Sequence, residues 1–229
     1  RSSDLFSSVT DSRAALIELS CETDFVARNQ AFIDVGTQVT QIVIDNALEE
    51  ASDEVIAIVD DVKSKIKENM GLKRLKSIPV ESNAVVADYI HGEGKIGVLV
   101  KATVDSDALL SNDDVKSFVF DCALHIAAFN PLYLTREDVD PEYLKEQEEI
   151  FTTQAENLGK PENVVAGIVK GKLNKHLSEI VLLEQGFVKD EKKKVTDMMK
   201  EVGKNAGGVI KLTEFVYYRV GQDAYPMNG

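Results

Sequence analysis

Four neighbouring residues, Thr23, Asp24, Phe25 and Val26, place a hydroxyl, a carboxylate and an aromatic ring where an apolar strand gives way to a helix. Thr23 or Asp24 can cap the start of that helix, because either side chain accepts hydrogen bonds from free backbone amides. Phe25 has two interpretations. It is a hydrophobic staple that packs against its own helix, or it projects towards a binding partner, and the residues alone leave both open.

The residues that could perform acid–base or nucleophilic chemistry lack the spacing of a catalytic or metal-binding motif. His91, His125 and His176 fall on different predicted elements, without the serine or cysteine motif of a nucleophile beside them. The glycine-rich segment 92–97, GEGKIG, lacks the spacing of a nucleotide-binding loop, so we interpret it as a hairpin turn. Acidic runs such as 113–114 lack the pattern of a calcium-binding loop. We therefore expect a protein that is not an enzyme and that holds no metal ion and no cofactor.

The composition favours a protein partner over nucleic acid or a membrane. The net charge is −13 at pH 7, whereas nucleic-acid binding depends on clustered lysine and arginine. No apolar run approaches the roughly 20 residues that cross a bilayer. Cys21 and Cys122 lie inside apolar runs, which favours buried thiols over a disulfide or a zinc site. We expect a globular protein that is not secreted and that makes no direct contact with nucleic acid or membranes.

Apolar spacing predicts a hairpin followed by two amphipathic helices in the first part of the chain. Residues 5–21 read as two strands around a polar turn. Apolar residues three and four apart then predict helices at 29–48 and 53–69, the second with Ser52 as its N-cap. A strand at 72–80 follows.

The same order of elements recurs further along the chain. A second hairpin is predicted at 84–104 and an amphipathic helix at 112–129. Two charged helices, 141–158 and 161–183, have enough apolar residues for a single seam and are predicted to pair as a helical hairpin. Residues 188–204 end in a helix, and an alternating aromatic strand at 209–220 closes the sheet.

These elements indicate an α+β fold with two related hairpin-plus-helix subdomains, antiparallel sheets and a protruding antiparallel helical hairpin. We expect one core subdomain at 1–83 and a second at 84–139, completed by 184–221. The protrusion is assigned to 140–183. The residues 222–229 are expected to form a loose tail.

Four blocks of sequence resemble the elongation factor Ts family, in the order in which the family has them. CETDFVARN at 21–29 resembles the family's signature stretch, and YIHGEGKIGVLV at 89–100 is similar to its hairpin YIHGGGRIGVLV. ALHIAAFNPLYLTREDV at 123–139 resembles a family helix and loop, and 159–195 resembles the second hairpin helix and the linker after it. The blocks extend over nearly all of 14–221, so the chain is identified as a member or close relative of this family of exchange factors for the GTPase elongation factor Tu.

The resemblance implies specific roles for individual residues. In the family the TDFV stretch intrudes on elongation factor Tu, where the phenylalanine wedges into the GTPase domain and disturbs the magnesium ion beside GDP. The matching positions here are Thr23, Asp24, Phe25 and Val26. His91 and Gly92 lie in the hairpin that resembles a second contact with the GTPase. Elongation factor Tu is therefore the implied partner, and self-association through the core or the helical hairpin stays open.

Two departures from the family pattern bear on these expectations. Family members usually begin with a small three-helix domain that also holds the GTPase, whereas this sequence begins where that domain and its linker would end, so we expect weaker docking. Gly186 stands where the family commonly has proline, which we expect to loosen the linker. An alternative hypothesis is a structural subunit of a larger assembly without exchange activity. The implied location is the cytoplasm of a bacterium, or otherwise the mitochondrial matrix or plastid stroma.

Overall fold

Two three-stranded sheets with their own helices make up most of residues 2–222, the part of the chain that the computed structural model describes. The first sheet and its helices are β1 (Ser2–Val9), β2 (Arg13–Cys21), α1 (Asp24–Ala27), α2 (Gln30–Asp45), α3 (Asp53–Ile66) and β3 (Gly71–Pro79). The second group begins with β4 (Ala84–His91), β5 (Ile96–Val104), α4 (Asp107–Leu110) and α5 (Asp113–Phe129). The rest of the chain forms α6 (Pro141–Glu156), α7 (Glu162–Ile180), β6 (Gly186–Phe187), β7 (Asp190–Lys194), α8 (Val195–Ala206) and β8 (Ile210–Arg219).

Each large sheet has a hairpin whose second strand lies in the centre. The strand order is β1-β2-β3 in the first sheet and β4-β5-β8 in the second, and all pairs are antiparallel. β8 therefore returns from the end of the described chain to pair with β5, which is the predicted closing strand. The α+β class expected from the sequence is confirmed.

Alternation along the central strands places the two sheets face to face, with helices on the outside. Ala15, Ile17 and Leu19 of β2 pack into a core with α2 and α3, while the intervening Leu16 packs against Leu99 of β5. Because successive side chains of a strand point to opposite faces, each central strand contributes to two cores. The molecule consequently has four layers in the order helix, sheet, sheet, helix.

Charged residues between the sheets are paired. Glu18 of β2 is 0% exposed and accepts a hydrogen bond of 2.6 Å from Nε of Arg74. The guanidinium of Arg74 lies 4.2 Å from the ring centroid of Tyr218 and donates to the carbonyl of Arg219 in the other sheet. Lys101 of β5, also buried, bonds to Glu214 and to the carbonyl of Pro79. Since removing one member of a buried pair leaves a charge without compensation, these contacts favour one arrangement of the two sheets.

The α6–α7 hairpin has its own small apolar clusters. Tyr133, Val139, Leu177 and Val181 form the one at its base. Ala155, Val165 and Val169 form the one towards the tip. The Tyr143 hydroxyl and Nε2 of His176 lie 2.6 Å apart and join the two helices near the base. This single seam is the one that the apolar spacing predicts.

Several local predictions are confirmed, and two short elements were missed. Asn29, Ser52 and Asn112 cap α2, α3 and α5 with their side chains, which places the helix starts as expected. Helices α2, α3, α6 and α7 end two or three residues earlier than predicted, α5 ends at the predicted residue, and α8 ends two residues later. The one-turn helix α4 and the strands of the hairpin β6–β7 are too short to give a periodic signal. Residues 223–229 of the predicted tail lie outside the described residues.

The small hairpin also gives Gly186 a structural role. A Cβ added at this glycine would lie 2.8 Å from the backbone oxygen of Glu191 in the facing strand. That distance is too short for a side chain without a local shift. The absence of a side chain therefore permits the close approach of β6 to β7.

Candidate partner-binding site

The helix α1 begins at Asp24, and the side chain of the preceding Thr23 makes two hydrogen bonds that hold the turn in place. Its Oγ1 accepts a hydrogen bond of 3.4 Å from the backbone N–H of Val26 and thereby caps the helix. The same hydroxyl donates to the carboxylate of Glu68, which follows α3, at 3.0 Å. The turn is therefore tied to the segment between α3 and β3 as well as to β2.

Phe25 projects into solvent from this turn. Its side chain is 88% exposed, the highest value among the large apolar residues that the structure describes, whereas Val26 beside it is 6% exposed and packs into the core of the first sheet. The staple interpretation of Phe25 is therefore wrong. Val26 and Ala27 anchor the turn and leave Phe25 on its open side. Burial of such a ring by a partner would yield about 2 kcal/mol.

Asp24 is held as an exposed carboxylate at the start of the same turn. The hydroxyl of Ser2 in β1 donates a hydrogen bond of 2.6 Å to its Oδ1. This bond lowers the pKa of the Asp24 carboxyl from its ordinary value, because it stabilises the ionised form. Asp24 therefore presents a negative charge next to Phe25 at neutral pH.

The β4–β5 turn lies beside α1 across the end of β1. Gly92, Glu93 and Gly94 all have positive φ, of 61°, 53° and 85°, which the two glycines adopt without the strain that a side chain adds. The backbone N–H of Leu5 donates to the carbonyl of Gly94 at 2.9 Å. His91 is exposed at the start of the turn, with its Nδ1 2.9 Å from the Tyr89 hydroxyl.

A cleft of about 610 Å³ separates these two elements. Asp24 and Arg28 line it on the α1 side, Glu93 and Lys95 on the side of the turn, and Leu5 of β1 lies between them. The guanidinium of Arg28 lies 3.6 Å from the carboxylate of Glu93. The structure thus brings the two predicted contact regions to the two sides of one cleft.

Comparison with known proteins supplies the family. A family model described as "Elongation factor TS" matches residues 22–222. Elongation factor Ts of Treponema denticola is 44% identical over 209 residues, which cover 91% of this chain and 75% of the relative. Elongation factors Ts of Borrelia hermsii and Borreliella burgdorferi are 43% and 42% identical over 218 residues, or 95% of this chain and 78% of each relative. This chain belongs to the elongation factor Ts family.

The four signature residues of this family member have different surroundings. Phe25 and Asp24 are exposed and face outward, Thr23 is half-buried as the cap, and Val26 lies in the core. His91 and Gly92 are exposed on the turn. Phe25, Asp24, His91 and Gly92 are therefore exposed on the surface, whereas Val26 is buried and holds the turn against the core.

The other residues considered for chemistry have structural surroundings. His125 is fully buried, with Nε2 2.8 Å from Oε1 of Gln185 and Nδ1 accepting from the N–H of Val188 at 3.1 Å. Cys21 and Cys122 are both buried. In the described part of the chain no three metal-binding side chains come together. No helix of residues 2–222 is long and apolar enough to cross a membrane.

Sequence reasoning missed Asp4, Arg28 and Lys95, which line the cleft. A charged residue in a strand or a turn carries no local pattern that indicates a site, and Asp4 and Lys95 are distant in sequence. A signal for them exists only once β1 and the β4–β5 turn are known to be neighbours.

Proposed function

We propose that this chain is a guanine nucleotide exchange factor for elongation factor Tu and that Phe25 is the side chain that enters the GTPase. Membership of the elongation factor Ts family supports the partner and the activity. The observation that carries the role of Phe25 is its 88% exposure on a turn that Thr23 and Val26 hold in place. Because the backbone of the turn is already held, binding has to order only the side-chain torsions of Phe25, which keeps the loss of conformational freedom small for an aromatic anchor residue.

The proposed mechanism uses contact rather than a chemical reaction. The magnesium ion beside GDP supplies a large part of the charge that holds the phosphates. A phenyl ring wedged next to that ion would disturb its ligands and weaken the binding of GDP. Coupling between two binding events is reciprocal. If this protein binds the nucleotide-free GTPase more tightly than the GDP-bound form, its binding therefore lowers the affinity of the GTPase for GDP by the same ratio.

His91 and Gly92 provide the proposed second contact. Both are exposed on the β4–β5 turn, on the far side of the cleft from α1. A partner that receives Phe25 could reach this turn at the same time. Two contacts on one rigid body restrict the orientation of the GTPase more than one contact does.

The test is the rate of GDP release from elongation factor Tu loaded with a fluorescent GDP. We expect the intact protein to accelerate release and Phe25→Ala to reduce that acceleration by about tenfold or more, within the usual range of coupling between sites. Ile56→Ala is the matched control, because Ile56 is an exposed apolar residue on α3. It should leave the rate unchanged.

Failure of the intact protein to accelerate release at saturating concentration would overturn the proposal. Copurification in a stable large assembly that lacks elongation factor Tu would then favour the structural-subunit alternative. Acceleration that Phe25→Ala leaves intact would retain the activity and reject the wedge.

A further inference from the structure

Lys95, the residue that follows the β4–β5 turn, bonds to β1 through its side chain and to two other elements through its backbone. Its ammonium donates to the carbonyl of Ser3 at 2.8 Å and to Oδ1 of Asp4 at 2.7 Å. Its backbone N–H closes the turn onto the carbonyl of His91 at 3.0 Å, and its carbonyl accepts from Val220 at 2.9 Å. The turn is therefore attached to β1 by the two bonds of the Lys95 side chain and by the backbone bond of Leu5 to Gly94, and to its own sheet through the backbone.

The start of β1 is also bonded to α1. Ser2, next to Ser3, donates to Asp24 at 2.6 Å, so three consecutive residues of β1 contact the α1 turn at one end and Lys95 at the other. A direct polar contact between α1 and the turn is the pair of Arg28 and Glu93, whose side chains are both exposed and 3.6 Å apart. An exposed ion pair of that length restrains little. The spacing across the cleft consequently depends on β1 and on its three hydrogen bonds to the turn, of which the Lys95 side chain makes two and the backbone of Leu5 makes one.

We propose that Lys95 is a positioning residue that, through Ser3 and Asp4, fixes the spacing between Phe25 on α1 and His91 on the turn. This inference rests on the proposed exchange function, in which both residues contact one GTPase. A fixed spacing means that the second contact forms without a further loss of conformational freedom once the first has formed.

The balance of energies at Asp4 supports positioning rather than stabilisation. Burial raises the pKa of the Asp4 carboxyl, the Lys95 ammonium lowers it, and the nearby carboxylates of Asp24 and Glu93 raise it, so that the pKa stays above its ordinary value. A carboxyl with a raised pKa in the folded protein destabilises the fold once it is ionised, so at neutral pH the contact with Lys95 does not offset the combined effect of burial and of the carboxylates of Asp24 and Glu93. Asp4→Asn should accordingly fold, with an unfolding midpoint at pH 7 no lower than that of the parent protein.

The spacing can be measured without any partner. Spin labels at Phe25→Cys and Glu93→Cys report the distance across the cleft, and the native Cys21 and Cys122 are buried and react slowly. We expect a narrow distance distribution in the parent protein, a clearly broader one with Lys95→Met, and a narrow one again with Lys95→Arg, which keeps the charge and the donors. Lys65→Met removes an equivalent lysine–aspartate pair on the exposed face of α3 and should not broaden it. An equally narrow distribution with Lys95→Met would overturn the proposal.

The functional consequence is tested by a mutant cycle on GDP release from elongation factor Tu at saturating concentrations of the factor. Phe25→Ala and His91→Ala, made singly and together, should be coupled by about fivefold in the parent protein, at the lower end of coupling between sites. In the Lys95→Met background the two effects should multiply independently, and Lys95→Arg should restore the coupling. A loss of stability alone would not remove the coupling selectively.

The outcomes separate this inference from the function on which it rests. If Phe25→Ala has no effect on release, the proposed wedge is rejected, and the distance measurement still decides the role of Lys95. If Phe25→Ala slows release but the coupling is absent in the parent protein, or survives Lys95→Met, the positioning role is rejected and the exchange function stands.

Discussion

The turns α1 and α4 occupy the same place in the two halves of the molecule and differ in the character of their second residue. Each is a four-residue helix that starts with an aspartate, follows a hairpin and precedes a long helix capped by asparagine. The equivalent residues are 83 positions apart, as Asp24 and Asp107 or Asn29 and Asn112 illustrate. The second residue of the turn is Phe25 in one half and the exposed Ala108 in the other. The fold therefore needs no aromatic ring at this place.

The third residue of each turn is the one that the fold requires. Val26 and Leu109 are 6% and 1% exposed and belong to the cores of the first and second sheet. The comparison separates two roles that the signature stretch combines: an apolar anchor common to both halves, and an exposed ring found in one. Helix α1 is therefore a structural turn that carries an additional exposed aromatic side chain, the one that we propose binds the GTPase.

The same offset relates the buried charges between the sheets. Glu18 and Lys101 lie at equivalent positions of β2 and β5, each next to a shift in the pairing with the third strand. They have opposite charge and different partners, Arg74 for Glu18 and Glu214 for Lys101. The two halves therefore share the arrangement of their backbone elements, but the charged residues on the face between the sheets differ from one half to the other.

The largest expected effect concerns the anchors of the two turns. Leu109→Ala should lower the free energy of unfolding by about 3 kcal/mol and Val26→Ala by about 2 kcal/mol, because each removes buried methyl groups and leaves a cavity. Urea unfolding measures both changes. A negligible loss for Val26→Ala would show that α1 is not anchored as α4 is and would break the comparison.

The equivalent helices α5 and α2 should contribute differently to the pH dependence of stability. His125 of α5 lies at the position equivalent to Ile42 of α2, and burial lowers the pKa of His125. A lowered pKa means that the folded protein binds the proton less tightly than the unfolded chain does. The contribution of neutral His125 to the free energy of unfolding is therefore present above the ordinary histidine pKa of about 6.5 and is lost as the pH falls below it.

His125→Gln should flatten this decline, because glutamine keeps a donor for Gln185 and an acceptor for Val188 without titrating. The change between pH 7 and pH 5 should amount to roughly 1 kcal/mol, the contribution of the hydrogen bond to Nδ1 that a protonated ring cannot accept. Unfolding curves at the two pH values measure it. Ile42→Gln is not expected to alter the pH dependence, and an equal effect of both substitutions would contradict the assignment to α5.

The smallest expected effect on stability comes from exchanging the exposed residues of the turns. Phe25→Ala and Ala108→Phe should each change the free energy of unfolding by less than about 0.5 kcal/mol, since neither side chain is packed. Thermal or urea unfolding provides the measurement. A larger loss for Phe25→Ala would mean that the ring contributes to the fold, and the separation of anchor and ring would no longer hold.

Local features of the fold were predictable because they depend on residues close together in the chain. Asn29, Ser52 and Asn112 each cap a helix through a bond to an amide two or three residues later, which is the range over which a sequence pattern operates. The hairpins and long helices follow from alternation and from three- and four-residue spacing in the same way. The division of the chain at 83, 139 and 184 stays a prediction.

The candidate site was predictable in part. Thr23 as a cap is a local property, but the exposure of Phe25 depends on which residues of the turn the core accepts. The choice of Val26 over Phe25 as anchor follows from the space left between β2 and α2, and no short pattern reveals that space. Asp4 and Lys95 were missed because their contact joins β1 to the β4–β5 turn, and these two segments are distant in sequence.

The sequence by itself determined the family, the order of the elements and the residues that could bind a partner, because signature blocks, caps and periodicity are all written in neighbouring residues. The tertiary structure decided which of those residues are accessible and how the two contact regions are spaced. That difference has one physical reason. Exposure and spacing depend on the stacking of the two sheets and on contacts such as those of Lys95 with β1, which form between segments far apart in the chain.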